Sequence, residues 1–237
     1  MSAIGTGTEE VRHLAAADLV ASLLAGTEGA SACLTSSFQA EDMAVLHMLL
    51  QHEPNVPVIF LETGYHFAET YAFRDRIARD WDLNLINAMP RTTLAEHEGQ
   101  FGKLHIVDPT QCCQIRKVEP LMRSLEPYKL WFTGLRREQS PTRANLRHVE
   151  QHTLPTGTTL KKVSPLAAWT WQQVLDYCEA NSIPQLPLYA RGYRSIGCEP
   201  CTTLSADPNN PRAGRWGGKK LECGIHTFTE TEPAEAR

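Results

Sequence analysis

The chain lacks the features that would tie it to a membrane, to secretion or to nucleic acid. No apolar run approaches the ~20 residues of a membrane-spanning helix. The opening stretch MSAIGTGTEEVRHL carries Glu9 and Glu10 and no apolar core, so it does not read as a secretion signal and a cytoplasmic protein is expected. Positive charge is not in excess: the formal net charge is −4 over 237 residues, against the basic face that general nucleic-acid binding uses. Internal repeats and low-complexity blocks are missing. So are the glycines of a Walker loop or a dinucleotide fingerprint. The length and moderate apolar content suit one soluble α/β domain with a sizeable core.

What the chain does have is seven cysteines. An odd number in a reducing compartment points to metal, cluster or catalytic roles for some and burial for the rest. Cys33 lies in the apolar ACLTS and Cys178 on the helical pattern WQQVLDYCEA, so both read as small core residues. Cys112, Cys113, Cys198, Cys201 and Cys223 remain.

Apolar strands alternate with helical patterns. After a helical lead-in (Val11 to Leu24), ASACLTSSF, VPVIFLE, LNLIN and KLWFTGL read as strands. AEDMAVLHMLLQH, FAETYAFRDRIARD and Thr170 to Asn181 read as helices. That order implies a parallel twisted sheet with right-handed crossovers. From about Pro184 the pattern dissolves into an irregular segment.

Ligands on such sheets bind beyond the carboxyl ends of the strands, which singles out SSFQAED, LETGYHF and GLRREQSPTR. In the first, the Ser36 and Ser37 hydroxyls, the loop amides and a helix N-terminus could receive an anion; a capped helix start is the plainer alternative. The third sets Arg136, Arg137, Arg143 and Arg147 against one acid, Glu138. A second basic run, PRAGRWGGKK, holds Arg212, Arg215, Lys219 and Lys220. Arginine holds phosphate and sulfate oxygens bidentately, so two basic loops in an acidic chain suggest a small polyanion.

Cys112 and Cys113 are adjacent, while Cys198 and Cys201 form a C-x-x-C pair. Four thiolates could hold zinc or an iron–sulfur cluster. Neighbouring side chains on a helix diverge by roughly 100°, which is awkward for one zinc ion and natural for a cube whose irons each take one ligand. Geometry favours the cluster without excluding zinc, and a redox disulfide at the C-x-x-C pair is a third alternative.

Taken together, SSFQAED, LETGYHFAET, CCQIRK, GLRREQSPTR, GCEPCT and ECGIH span residues 36 to 226, and the sequence resembles the assimilatory adenylyl-sulfate (APS) reductases, relatives of the phosphoadenylyl-sulfate (PAPS) reductases. The resemblance implies a fold of the adenine-nucleotide hydrolase, or ATP-pyrophosphatase-like, type. It implies residues 1–183 as the nucleotide-binding part, with 184–237 as a cluster-binding, mobile catalytic segment of the same domain. It implies reduction of APS to sulfite and AMP with thioredoxin as electron donor. One [4Fe-4S] cluster per chain would be held by Cys112, Cys113, Cys198 and Cys201. Cys223 would be the catalytic nucleophile, Lys117 would lie between cluster and substrate, and His226 would assist the thiolate or thioredoxin docking. Arg143, Arg212 and Arg215 would grip the phosphosulfate. Ser36, Ser37, Phe38, Gln39, Glu62, Thr63, Gly64, Gly134, Arg136 and Arg137 would complete the substrate site. Glu62 departs from the aspartate of many relatives, though a longer acid can still cap the loop.

The residue types suit that chemistry. A thiolate attacking the sulfuryl sulfur would leave an S-sulfocysteine and free AMP. Lys219, Lys220 and the nearby arginines would favour the thiolate, and Gly217, Gly218 and Gly224 would let it meet a substrate and then a protein partner. The rivals are a PAPS reductase, an ATP-pyrophosphatase-type thiolation enzyme, whose S-G-G-x-D-S loop is absent, and a zinc-binding interaction module. The sequence does not decide whether the chain forms a homo-oligomer.

Overall fold

Six short apolar or half-apolar stretches pair into one sheet: β1 (Ala32–Thr35), β2 (Val58–Leu61), β3 (Leu85–Ala88), β4 (Leu130–Phe132), β5 (Val149–Thr153) and β6 (Thr159–Val163), in the order β3-β2-β1-β4-β6-β5. This computed structural model describes residues 15–226 apart from 27, 206, 208, 209 and 219. The expected tail beyond Phe228, the first residues of the helical lead-in and Lys219 therefore lie outside the described residues.

The pairings from β3 through β2, β1 and β4 to β6 are parallel. Successive side chains point to opposite faces of a strand, and both faces here are covered. Leu34, Val58, Phe60, Leu130 and Phe132 face one core cluster. Cys33, Ile59, Trp131 and Leu160 face a second. Burial on both sides is why these strands read as continuous apolar runs rather than alternating ones. The helix Ala40–Leu50 buries Met43, Val45, Leu46 and Leu49 against the first face, and Glu119–Leu125 buries Leu121 and Leu125 against the second. Cys33 and Cys178 are core side chains, 0% and 2% exposed, as expected.

The irregular C-terminal segment begins inside this core, since Leu186, Leu188 and Ile196 join the first cluster. Among the described residues no helix is long and apolar enough to cross a membrane.

One element departs from the expected all-parallel sheet. β5 runs antiparallel to β6 and closes the edge as a hairpin. Its residues, VEQHT, are mostly polar and only partly buried, as an edge strand tolerates, so no apolar run marked it.

The chain runs outward from β1 to β2 and β3, then returns to place β4 on the other side of β1. The order therefore reverses between β1 and β4, and a crevice opens beyond their carboxyl ends. Gly134, just after β4, makes the close approach there. A Cβ on it would lie 2.4 Å from Asp42 Oδ1 and 2.8 Å from the Asp42 backbone nitrogen. We expect Gly134→Ala to cost about 1–3 kcal/mol, the usual penalty of overpacking. An unchanged denaturation midpoint would contradict this account of the crevice.

Candidate functional site

Beside the crevice lies a small cavity lined by Cys112, Cys113, Cys198 and Cys201 together with Thr63, Tyr65, Lys117 and Trp216. The first pair ends the helix Pro109–Cys113, whose start is capped by Asp108: its carboxylate accepts the Thr110 and Gln111 N–H groups at 3.1 and 3.0 Å. The helix then widens into a π-turn, Gln114–Val118, before Glu119–Leu125. Such insertions cluster at functional sites because they re-aim side chains; this one carries Arg116 and Lys117. The second pair brackets the turn Glu199–Cys201, with Cys198 just before it and Cys201 at its end, and the turn is tied to the loop after β2 by the Glu199 N–H bond to Tyr65 O at 2.7 Å and a His66–Cys198 bridge.

The donor set fits a cluster. All four thiols are buried and none is in a disulfide. Burial and the neighbouring thiols push Cys112 up to about 12 and Cys201 up to about 11, so four thiolates here need a cationic group among them. Among the described residues no three His, Cys, Asp or Glu side chains form a group that could hold one metal ion. Four buried thiols lining one cavity are the donor type that an iron–sulfur cluster or a zinc ion takes.

Lys117 and Trp216 line this cavity and also a larger cleft of about 440 Å³. Lys117 is 8% exposed. Burial opposes its charge, but the thiols of Cys198, Cys223 and Cys113 outweigh that and hold its ammonium above the ordinary lysine range.

The cleft occupies the crevice beyond β1, β2 and β4, and Ser36, Ser37, Gln39, Gly134 and Arg136 line it. The loop after β1 is nonetheless not an empty anion cradle. Asp42 accepts the Ser37 N–H at 2.7 Å, the Ser37 hydroxyl at 2.6 Å and the Gly134 N–H at 3.2 Å. Gln39 exchanges hydrogen bonds with Ile196, at 3.1 and 2.9 Å, and so fastens Arg194–Gly197 over the loop. Phe38 is a core side chain, 0% exposed, at φ 59°.

Other expected residues lie outside the cleft lining. Glu62 caps its own turn, accepting the Gly64 N–H at 2.8 Å, the Tyr71 hydroxyl at 2.5 Å and Arg74 at 3.2 Å. Thr63 turns to the cysteine cavity, its hydroxyl 3.4 Å from Cys198 Sγ. Arg137 gives its Nε to Leu146 O at 2.8 Å. Arg136 is paired internally, with Glu41 at 2.9 Å and Glu138 at 2.6 Å. A run of basic letters therefore overstated the free positive charge, because the balancing acids come from other parts of the chain.

In the second basic run, Arg212 donates to Leu221 O at 2.7 Å and to Glu222 at 3.3 Å. Arg212 and Arg215 line the cleft and lie over the Trp216 ring at 5.7 and 4.5 Å. The Nε of each is buried with no hydrogen-bond partner. Burial pushes both guanidiniums down, Arg212 to about 10, which leaves them charged at neutral pH. Lys220 reaches the Pro109 carbonyl at 3.4 Å and the Trp216 ring at 5.3 Å.

Cys223 is half-buried, lines the same cleft and packs with Cys198, Cys201 and Trp216. Gly224 follows it at φ 98°, a conformation that favours glycine. His226 also lines the cleft, stacked on Trp131 with centroids 5.8 Å apart, and its carbonyl accepts from Lys162 at 3.2 Å. Burial, then Lys162, Arg143 and Arg212, hold its imidazole well below the ordinary range and neutral. Sequence reasoning passed over Glu41, Asp42, Gln139, Arg194–Gly197 and Glu222. The acids in SSFQAED and ECGIH were visible there, read only as neighbours of the serines and the cysteine.

The model of the phosphoadenosine phosphosulfate reductase domain matches residues 31–204. The chain belongs to this family. It is 43% identical over 208 residues to the adenosine 5′-phosphosulfate reductase of Streptomyces coelicolor, covering 85% of this chain and 84% of that one. To the enzyme of that name from Mycolicibacterium smegmatis it is 41% identical over 239 residues, covering 95% and 99%. A crystal structure of phosphoadenylyl-sulfate (PAPS) reductase from Candida auris, a phosphate complex, is similar with a TM-score of 0.66 over 84% of this chain and 98% of that one; at 23% identity the likeness speaks for the fold. The shared fold agrees with the parallel sheet expected from the alternating elements.

Within this family site, Asp42 gives a measurable signature. Burial pushes its carboxyl up to about 6, against the Ser37 hydrogen bonds that lower it. A folded pKa above the unfolded one means the folded state binds the proton more tightly, so stability falls as pH rises from the ordinary carboxyl range through 6, by about 3 kcal/mol in all. The carboxyl-carbon shift of Asp42 should titrate near pH 6; a midpoint near pH 4 would contradict the burial argument.

Proposed function

We propose that this chain reduces adenosine 5′-phosphosulfate to sulfite and AMP, with Cys223 as nucleophile. The observation that carries the reading is the juxtaposition in one cleft, at the strand-order reversal, of a thiol with Lys117, Arg212 and Arg215, two of them with unpartnered guanidinium nitrogens. The names of the 41–43% identical relatives support the same substrate.

The nucleotide lies beyond β1 and β4, along Ser36–Gln39 and Gly134, and its phosphosulfate meets the three cations. Arg143 lines the cleft too, but its guanidinium already holds Glu222. The Cys223 thiolate attacks the sulfuryl sulfur; an S–S bond forms, the S–O bond to phosphate breaks, and AMP leaves with the electron pair. Lys117, Arg212 and Arg215 offset the charge that grows on the departing oxygens. A reduced dithiol protein of the thioredoxin class then attacks Cys223 Sγ, and sulfite departs with the bonding pair. Its second thiol resolves the mixed disulfide, so the dithiol is oxidised by two electrons and Cys223 is restored. His226, neutral and stacked on Trp131, shapes the cleft wall beside the thiol.

Cys112, Cys113, Cys198 and Cys201 would hold a [4Fe-4S] cluster. When bound, it supplies a fixed charge distribution beside Lys117. The seven cysteines are all free thiols, which suits a reducing cytoplasm.

With reduced thioredoxin, the protein should turn APS over with a kcat/KM at least about tenfold above that for PAPS, releasing sulfite. Preference for PAPS would keep the chemistry and change the substrate; sulfite from neither would contradict the reading. Anaerobic protein should carry about four irons per chain, and Cys198→Ser should lose iron. Iron-free protein with stoichiometric zinc would overturn the cluster.

A further inference from the structure

The cysteine cavity is walled unevenly. The described residues that line it are all buried but three, Tyr65, His105 and Pro109, which are half-buried. On the cleft side the partition is Lys117 and Trp216, 8% and 5% exposed. The thin side, where the four thiols come nearest to bulk water, is therefore the face made by Tyr65, His105 and Pro109.

Tyr65 is the largest of the three and is held from several directions. It packs on Cys198, Cys201 and Trp216. Its hydroxyl donates to Glu98 Oε1 at 2.8 Å, a bond strengthened by the carboxylate charge. Its ring meets His105 edge-on with centroids 4.9 Å apart, and the Arg116 guanidinium lies 5.8 Å from its centroid. The Tyr65 N–H donates to Thr63 Oγ1 at 3.1 Å, and its carbonyl accepts from Glu199. Glu98 and His105 arrive on the short helices Leu94–Phe101 and Leu104–Val107, so these helices supply the outer half of the wall.

The shell around a metal site controls the access of solvent to it, and solvent exposure is one of the factors that set the properties of an iron–sulfur cluster. A phenol ring suits that position, because its body is apolar while its hydroxyl can be anchored at the wet rim. We propose that Tyr65, tethered by Glu98 and braced by His105, is the wall that shields a cluster on Cys112, Cys113, Cys198 and Cys201 from water and small solutes. Tyr65, Glu98 and His105 lie outside the cleft lining, so they protect the metal centre and take no part in sulfuryl transfer. The inference rests on the cluster reading.

The test uses the iron-loaded full chain, kept anaerobic and mixed with EDTA, with iron release followed as loss of the visible absorbance of the cluster. Tyr65→Ala should release iron about tenfold or more faster than the wild type. The rate should rise in proportion to EDTA concentration, because the chelator enters an opened wall in a folded protein. Tyr65→Phe keeps the ring and loses the tether. It and Glu98→Ala should each speed release about threefold, and the double variant no more than the larger single, since both remove one hydrogen bond. A wild-type rate in Tyr65→Ala would refute the wall, as would a faster rate independent of EDTA concentration, which is release by unfolding. Wild-type rates in both Tyr65→Phe and Glu98→Ala would refute the tether. A wild type that carries no iron strikes the cluster reading itself, whereas a loaded wild type with indifferent variants removes only the wall.

Discussion

A buried ammonium organises this molecule. Lys117 stands in the wall between the cysteine cavity and the cleft, where an uncompensated charge would cost several kcal/mol. It is tolerable because thiols of Cys198, Cys223 and Cys113 surround it and outweigh the cost of its burial. The arrangement needs the π-turn at Gln114–Val118 to aim the lysine. It also needs the bridge between His66 and Cys198 to bring the second cysteine pair across the loop after β2. The cysteine cavity and the cleft thus share two residues, Lys117 and Trp216.

The cleft sorts its cations by what already holds them. Arg136 belongs to Glu41 and Glu138, Arg137 to a backbone carbonyl, and Arg143 to Glu222. Arg212 shares Glu222 through one nitrogen, yet its Nε and that of Arg215 are buried with no hydrogen-bond partner within the chain. Satisfied guanidiniums shape the walls, while those with a buried nitrogen and no partner can gain a hydrogen bond when a ligand arrives.

Much of this was legible in the sequence. Strands buried on both faces appear as uninterrupted apolar runs, so β1, β2 and β4 could be read directly, as could β3 and the helices Ala40–Leu50 and Ala68–Asp80; the short helices between β3 and β4, from Leu94 to Leu125, were not read. The cysteine pairs were legible because adjacency and C-x-x-C spacing are local. The β5–β6 hairpin was not, since an edge strand such as VEQHT carries little apolar signal. Arg136 and Arg143 looked available because their partners, Glu41 and Glu222, lie 95 and 79 positions away. Asp42 filled the serine loop for the opposite reason: it was close at hand, five residues along, but only the fold turns its carboxylate back onto Ser37.

The central claim is that Cys223 takes the sulfuryl group in this cleft. Mixing anaerobically purified protein with APS and no reductant, then measuring intact mass and mapping the modified peptide, tests it most directly. The account predicts one sulfonate group per chain, on Cys223, released as sulfite when a reduced dithiol protein is added. A sulfonate on another cysteine, or none with the metal centre intact, would contradict it.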